Sequence, residues 1–303
     1  MKSKVVLALI FSLFISTSHA ATQAKQAVKM TGLKATTMIS LSSDPNDQVS
    51  ALVTSPTSLT VVGTSGKSGF ATSYDRTGTV QQWNLVLGAE SIATVASRDS
   101  AGTLWIAGAS AIQPDQPATS AYPAGTLNPS GVQPDTSTAL PAMTQLNIWK
   151  VSAQGVLINT YSTNKLGDAI LPESIGVKSG KVTVTGLIAS HPLDRFSITL
   201  DSQGALGAAK ISTTVPSTKA AIKEVKTTLS IWRSFTTSVA IKGIPTWKPK
   251  PNAHVLVRYD AKSKAVIAGY TTSGEILDFA WEKSIGIIAL IEYPTFYGLA
   301  IIK

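Results

Sequence analysis

Short apolar runs and turn residues alternate along the whole chain, and the runs have the length of strands. Stretches of five to eight residues rich in Val, Ile and Thr are broken by Gly, Asp, Ser and Pro from Thr36 to Ile302. Helical periodicity over ten or more residues is missing outside the N-terminal segment; 219–225 is the nearest candidate, and it is short. The expected class is all-β.

The strands repeat. Leu59-Thr-Val-Val-Gly63-Thr-Ser matches Leu104-Trp-Ile-Ala-Gly108-Ala-Ser at a spacing of 45 residues. Val182-Thr-Val-Thr-Gly186 reads as a third copy, Val239-Ala-Ile-Lys-Gly243 as a fourth, and Ile287-Ile-Ala-Leu-Ile-Glu292 as a fifth without its glycine. An apolar strand precedes each copy, at 49–54, 92–97, 173–177, 229–233 and 276–281. The first four copies are followed by a third strand, a turn and a fourth strand. Asp75-Arg-Thr-Gly78, Ser152-Ala-Gln-Gly155 and Asp201-Ser-Gln-Gly204 form these turns, and the turn after Asp260 lacks the glycine. An Asp or Ser side chain caps such a turn, and glycine three positions on accepts the positive φ.

The unit is therefore four strands in about 40–45 residues plus insertions, which is the size of a propeller blade. After Gly274 only three strands remain, while one strand at 36–41 stands unused. Adding it to the last blade completes a ring and removes open edges. The expectation is a single five-bladed β-propeller over 35–303, closed by an N-terminal strand.

Asp99-Ser-Ala-Gly-Thr-Leu-Trp-Ile-Ala-Gly108 and Asp75-Arg-Thr-Gly-Thr-Val-Gln-Gln-Trp83 resemble the degenerate repeats of secreted bacterial β-propellers, with blades similar to the YVTN, WD40-like and quinoprotein-like groups. The resemblance covers roughly 35–303, rests on generic blade-packing residues and points to no single family. A β-sandwich or β-solenoid is the alternative fold.

The first twenty residues carry an address. Lys2 and Lys4 precede an apolar run of eleven residues at 5–15, and Ser18-His19-Ala20 supplies small residues for cleavage after Ala20. Eleven residues fall short of the ~20 that a bilayer requires, so a cleaved signal peptide is expected, with 21–34 a flexible leader and no transmembrane segment thereafter. Twenty-six Lys and Arg against 17 Asp and Glu give +9, and loss of Lys2 and Lys4 leaves +7. The absence of cysteine excludes a disulfide scaffold, thiol catalysis and Cys-ligated metals. A secreted, periplasmic or envelope location follows, with nucleic acid not expected as a partner.

Two insertions interrupt the repeats. The first, 109–145, holds six prolines with Ala, Ser and Thr, and reads either as a surface excursion or as a lid. The second, 244–253, carries Trp247 beside Lys242, Lys248 and Lys250. An aromatic face with cations suits sugars or an anionic polymer; alternatively this is a solvated basic turn whose Trp packs down.

Catalytic chemistry is sparse. His191 and His254, the two histidines left after cleavage, have no metal-ligand spacing. Gly63-Thr-Ser-Gly66-Lys67-Ser68 lacks the leading glycine of a phosphate loop, since Val61 stands in its place, and Phe70 opens a strand rather than a helix. Asp47, Glu90, Asp168 and Glu275 recur near the first strand of a blade. They read as turn caps, as an axial ring able to hold Ca²⁺, or as paired carboxylates for glycoside cleavage. No other cofactor is implied.

The expected function is a monomeric, non-enzymatic binding or scaffold module for an envelope protein or an anionic polymer such as a charged polysaccharide. The alternative is a propeller enzyme, either a polysaccharide hydrolase or lyase or a quinone-dependent dehydrogenase at the axial channel.

Overall fold

The computed structural model describes residues 27–39, 46–111, 142–188, 191–213 and 223–303. Most of the 109–145 insertion and all of the 1–20 segment lie outside these residues. Every regular element described is a strand.

Two short strands, β1 (Met30–Gly32) and β2 (Thr37–Ile39), come first. Four antiparallel meanders follow. The first contains β3 (Gln48–Thr54), β4 (Ser58–Ser65), β5 (Ser68–Asp75) and β6 (Gln81–Ala89). The second contains β7 (Ser91–Arg98), β8 (Leu104–Ser110), β9 (Gln145–Val151) and β10 (Leu157–Lys165). The third is β11 (Ile170–Lys178), β12 (Lys181–Ile188), β13 (His191–Leu200) and β14 (Lys210–Thr213). The fourth is β15 (Lys223–Lys226), β16 (Ser230–Thr237), β17 (Ala253–Asp260) and β18 (Val266–Thr272). The chain ends with β19 (Glu275–Glu282), β20 (Gly286–Tyr293) and β21 (Phe296–Ile302).

The last three strands take β2 as their fourth, through Thr37 against Leu299 and Ile39 against Tyr297. The strand left over near the N-terminus thus joins the C-terminal sheet, as the strand count requires. Met30–Gly32, inside the stretch read as a leader, runs parallel to β18 and makes the β15–β18 sheet five-stranded.

Why the repeat needs its glycine is visible in the pairing. The first strands β3, β7 and β11 each carry a register irregularity, at Val49/Ala51, Ala93/Val95 and Pro172/Ser174. Gly63, Gly108 and Gly186 lie opposite these bulges, and a Cβ on each would overlap the carbonyl oxygen of Gln48, Ile92 and Leu171 respectively. The bulge brings backbone onto backbone, and only glycine leaves room. The turns are capped as the sequence implies: Asp75 accepts the amides of Thr79 and Val80, and Asp201 those of Gln203 and Ala205.

The fourth copy is shifted from its expected place. Val239–Gly243 forms no strand; β16 occupies the second position and β15 the first, overlapping at 223–225 the stretch that came nearest to helical periodicity. Two turns, rather than a ladder, use Ile241 and Ile244, and both are buried against the sheet.

Consecutive sheets pack face to face through apolar clusters. One joins the β7–β10 sheet to β11–β14 around Ile148, Val184 and Phe196, and another joins β3–β6 to β7–β10 around Val62, Ile106 and Trp149. A third links β3–β6 to the C-terminal sheet around Ile39, Leu59 and Leu290, and a fourth links that sheet to β15–β18 around Trp232, Leu256 and Phe279. This is a propeller-like stack of repeats. Among the described residues, no cluster joins β11–β14 to β15–β18. The face of β11–β14 away from the Val184 and Phe196 cluster carries Thr183, Thr185, Ser197 and Thr199 by strand alternation, with Thr185 bonded to Ser174 at 2.6 Å. The corresponding face of β15–β18 is covered by its own insertion.

Candidate functional site

That insertion, 238–252, builds the most distinctive surface. The amide of Ile244 donates to Ile241 O and that of Trp247 to Ile244 O, so two turns follow head to tail. Gly243, at φ 101°, takes the third position of the first turn, where a positive φ is needed, and Pro245 takes the second position of the next. Every third residue therefore returns to the same side. Ile241, Ile244 and Trp247 land on Val255 and Val257 of β17, joined by Val28 and Met30. Ser238 Oγ accepts the Asn252 amide at 3.0 Å and closes the neck of the loop.

With the apolar residues facing down, the cations face out. Lys248 and Lys250 are exposed and alternate with Pro249 and Pro251, whose fixed φ limits the freedom of the lysine-bearing backbone. Trp247, Lys248 and Lys250 line a cleft of about 620 Å³ with Lys34 and His254. Among the described residues, no aspartate or glutamate lines it. Lys34 arrives because β1 docks on β18, a contact that no local spacing announces. His254 Nδ1 lies 3.2 Å from Thr236 Oγ1. Trp247 is half-buried, so it both packs down and borders the cleft. Lys242 does not join its expected neighbours: it lines a second cleft, of about 730 Å³, with Lys264, Tyr259 and Val266.

The four acids recur where the first strands begin but do not gather. Asp47 precedes β3 and accepts the Gly66 amide at 2.7 Å; Glu90 joins β6 to β7 at φ 48°. Asp168 precedes β11 and lies 3.4 Å from Lys165, while Glu275 opens β19 opposite Glu292. Among the described residues, no three His, Asp or Glu side chains come together at metal-binding distance.

A different acid occupies the sheet junctions. Asp278, buried on β19, forms an ion pair with Lys223 of β15 and accepts the Leu52 amide of β3 at 2.8 Å. It also accepts the Phe279 amide at 2.6 Å. Burial holds the Lys223 ammonium down to about 8, the adjoining carboxylate notwithstanding. The signal for Asp278 was a lone acid inside the apolar run Ile276-Leu-Asp-Phe-Ala-Trp281.

No protein-family profile and no curated protein matches the chain. Among solved structures, it is similar to the WD40 domain of Neurospora crassa Pan2, at 9% identity and a TM-score of 0.45, covering 86% of this chain and 91% of that one. It is also similar to an exo-beta-1,3-galactanase from Phanerochaete chrysosporium, at 9% identity and TM-score 0.42, covering 91% of this chain and 64% of that one. A subtype N10 neuraminidase-like protein of A/little yellow-shouldered bat/Guatemala/060/2010 matches at 12% identity and TM-score 0.35, covering 84% of this chain and 80% of that one. Scores of this size transfer no activity and no partner to this chain.

Proposed function

We propose that the chain is an exported, non-enzymatic propeller module that binds an anionic polymer in the cleft of Trp247, Lys248, Lys250, Lys34 and His254. The observation that carries this reading is the composition of that cleft, three lysines and an aromatic side chain with no carboxylate among the described residues. All three lysines are exposed. A single exposed ion pair contributes only ~0–1 kcal/mol, so useful affinity needs several charges on one ligand. A polymer meets that condition better than a small anion. In this reading the five sheets are five blades of one ring, completed by β2 and joined at the β11–β14 seam through polar surface. Chain order supports it, because sheets adjacent in sequence are those sharing apolar clusters at the other junctions.

The test is calorimetric titration of the 21–303 chain with polygalacturonate and with an uncharged glucan. Salt-sensitive binding of the first alone is expected, weakened about tenfold or more by K248E with K250E, as loss of multivalent contact implies. Binding that ignores both substitutions removes the reading.

A further inference from the structure

The second basic cleft has no role in that reading, yet it lies on the same path. Lys242 and Lys264 line it, as do Ala27, Val28 and Ile267; the first cleft is lined by Gly32, Leu33, Lys34 and Thr272. The two therefore sit at opposite ends of β18 and of β1, which runs parallel to it. From Ile267 to Thr272 the strand rises about 17 Å at ~3.3 Å per residue.

What lies between them is chemically specific. β1 is the edge of its sheet, and Thr31 and Gly32 are exposed. An edge strand offers backbone N–H and C=O groups to a ligand that can both donate and accept. Each cleft contributes an aromatic side chain: Trp247 in one and, in the other, Tyr259, with the Arg233 guanidinium 5.3 Å from its ring centre. Each contributes lysines, Lys264 already donating to Ala261 O at 2.6 Å, and among the described residues neither is lined by an acid. Polyphosphate would use the cations alone. A uronate-bearing chain supplies carboxylates for the lysines, hydroxyls for the strand edge and sugar C–H faces for the aromatic rings.

We infer that an acidic polysaccharide lies along β1 and occupies both clefts at once. This rests on the polymer-binding reading above and extends it to a ligand class and a second subsite.

Oligogalacturonates of increasing length, with polyphosphates of matched length, distinguish the possibilities by titration. Affinity is expected to rise about tenfold or more once the oligomer spans both clefts, because the second contact becomes intramolecular. K242Q with K264N should abolish that rise while short oligomers still bind at the Lys248 and Lys250 cleft; Asn tolerates the positive φ of 57° at Lys264. K248E with K250E should weaken short and long oligomers alike. Affinity independent of length, with sensitivity only to Lys248 and Lys250, overturns the two-cleft path while the single-cleft reading stands. Polyphosphate binding as tightly as the matched uronate overturns the polysaccharide assignment. Indifference to both lysine pairs removes the underlying reading as well.

Discussion

Asp278 pairs with Lys223 across two sheets, and its second oxygen accepts the Leu52 amide from a third. One carboxylate thus ties the first strands β15, β19 and β3 together. A half-exposed cation and a buried anion are not equivalent partners. Loss of the acid strands two buried amides and a lysine, whereas loss of the lysine leaves the carboxylate with its two amides. D278A should therefore cost about 3 kcal/mol, at the low end for a broken buried pair because Lys223 is half-exposed. K223M should cost little or nothing, because it removes an ammonium that burial already disfavours. Urea unfolding of the two variants checks the order, and equal losses would contradict it.

The same lysine gives the fold an alkaline signature. Its ammonium titrates at about 8 in the folded chain against an ordinary 10.5. Between these values the unfolded chain binds more protons, so this group's contribution to stability rises with pH from about 8 to 10.5. Wild type minus K223M should show that rise in urea midpoint. Tyr74 and Tyr297, both raised by burial, act in the opposite sense at higher pH and cancel in the difference.

Glycines in the repeat should divide sharply by position. A Cβ at Gly108 would overlap the Ile92 carbonyl, so G108A should cost about 2–3 kcal/mol through forced backbone movement. At Gly176 nothing lies within 4 Å of an added Cβ. G176A should be neutral or stabilise by up to ~1 kcal/mol, since it restricts the unfolded chain. Thermal melts of both variants read the contrast directly.

Asp99 caps the turn before β8, accepting the Ala101 and Thr103 amides and, at 3.1 Å, the Trp105 indole. D99A should cost about 1–3 kcal/mol. Burial acts to raise its pKa, but these donors outweigh burial and hold it below 3.8. The resulting stability is present above 3.8 and lost as pH falls through the depressed value. D99N should accordingly show a shallower loss between neutral pH and pH ~2.

The C-terminal sheet depends on a strand from the opposite end of the chain. Ile39 of β2 is buried in the cluster with Leu59, Leu290 and Leu299. I39A should cost about 2–5 kcal/mol, and native-state hydrogen exchange should show β21 losing protection first.

Much of this architecture is written in local pattern. Apolar runs of strand length mark most strands, and central strands such as β4 and β8 are buried almost throughout because a sheet packs on each of their faces. Gly63, Gly108 and Gly186 recur because each opposes a bulge, and the Asp-x-x-Gly turns recur because one capping geometry is reused. Even the docking of β2 follows from counting strands. The slip at the fourth copy has an equally physical cause: Val239-Ala-Ile-Lys-Gly243 imitates a second strand, but its isoleucines fold back in turns to cover a sheet face.

The candidate site divides along the same line. Trp247, Lys248 and Lys250 were legible because they are neighbours in the chain, joined by prolines that hold them in one direction. Lys34 and Lys264 were not, because they reach the two clefts through the pairing of β1 and β18 and through the turn after Asp260. The sequence alone determined strands, turns and the repeating unit, whose causes act over a few residues. Tertiary structure alone decided that Lys242 leaves its neighbours, that the four expected acids stay apart, and that Asp278 meets Lys223, since those outcomes depend on how separate sheets pack.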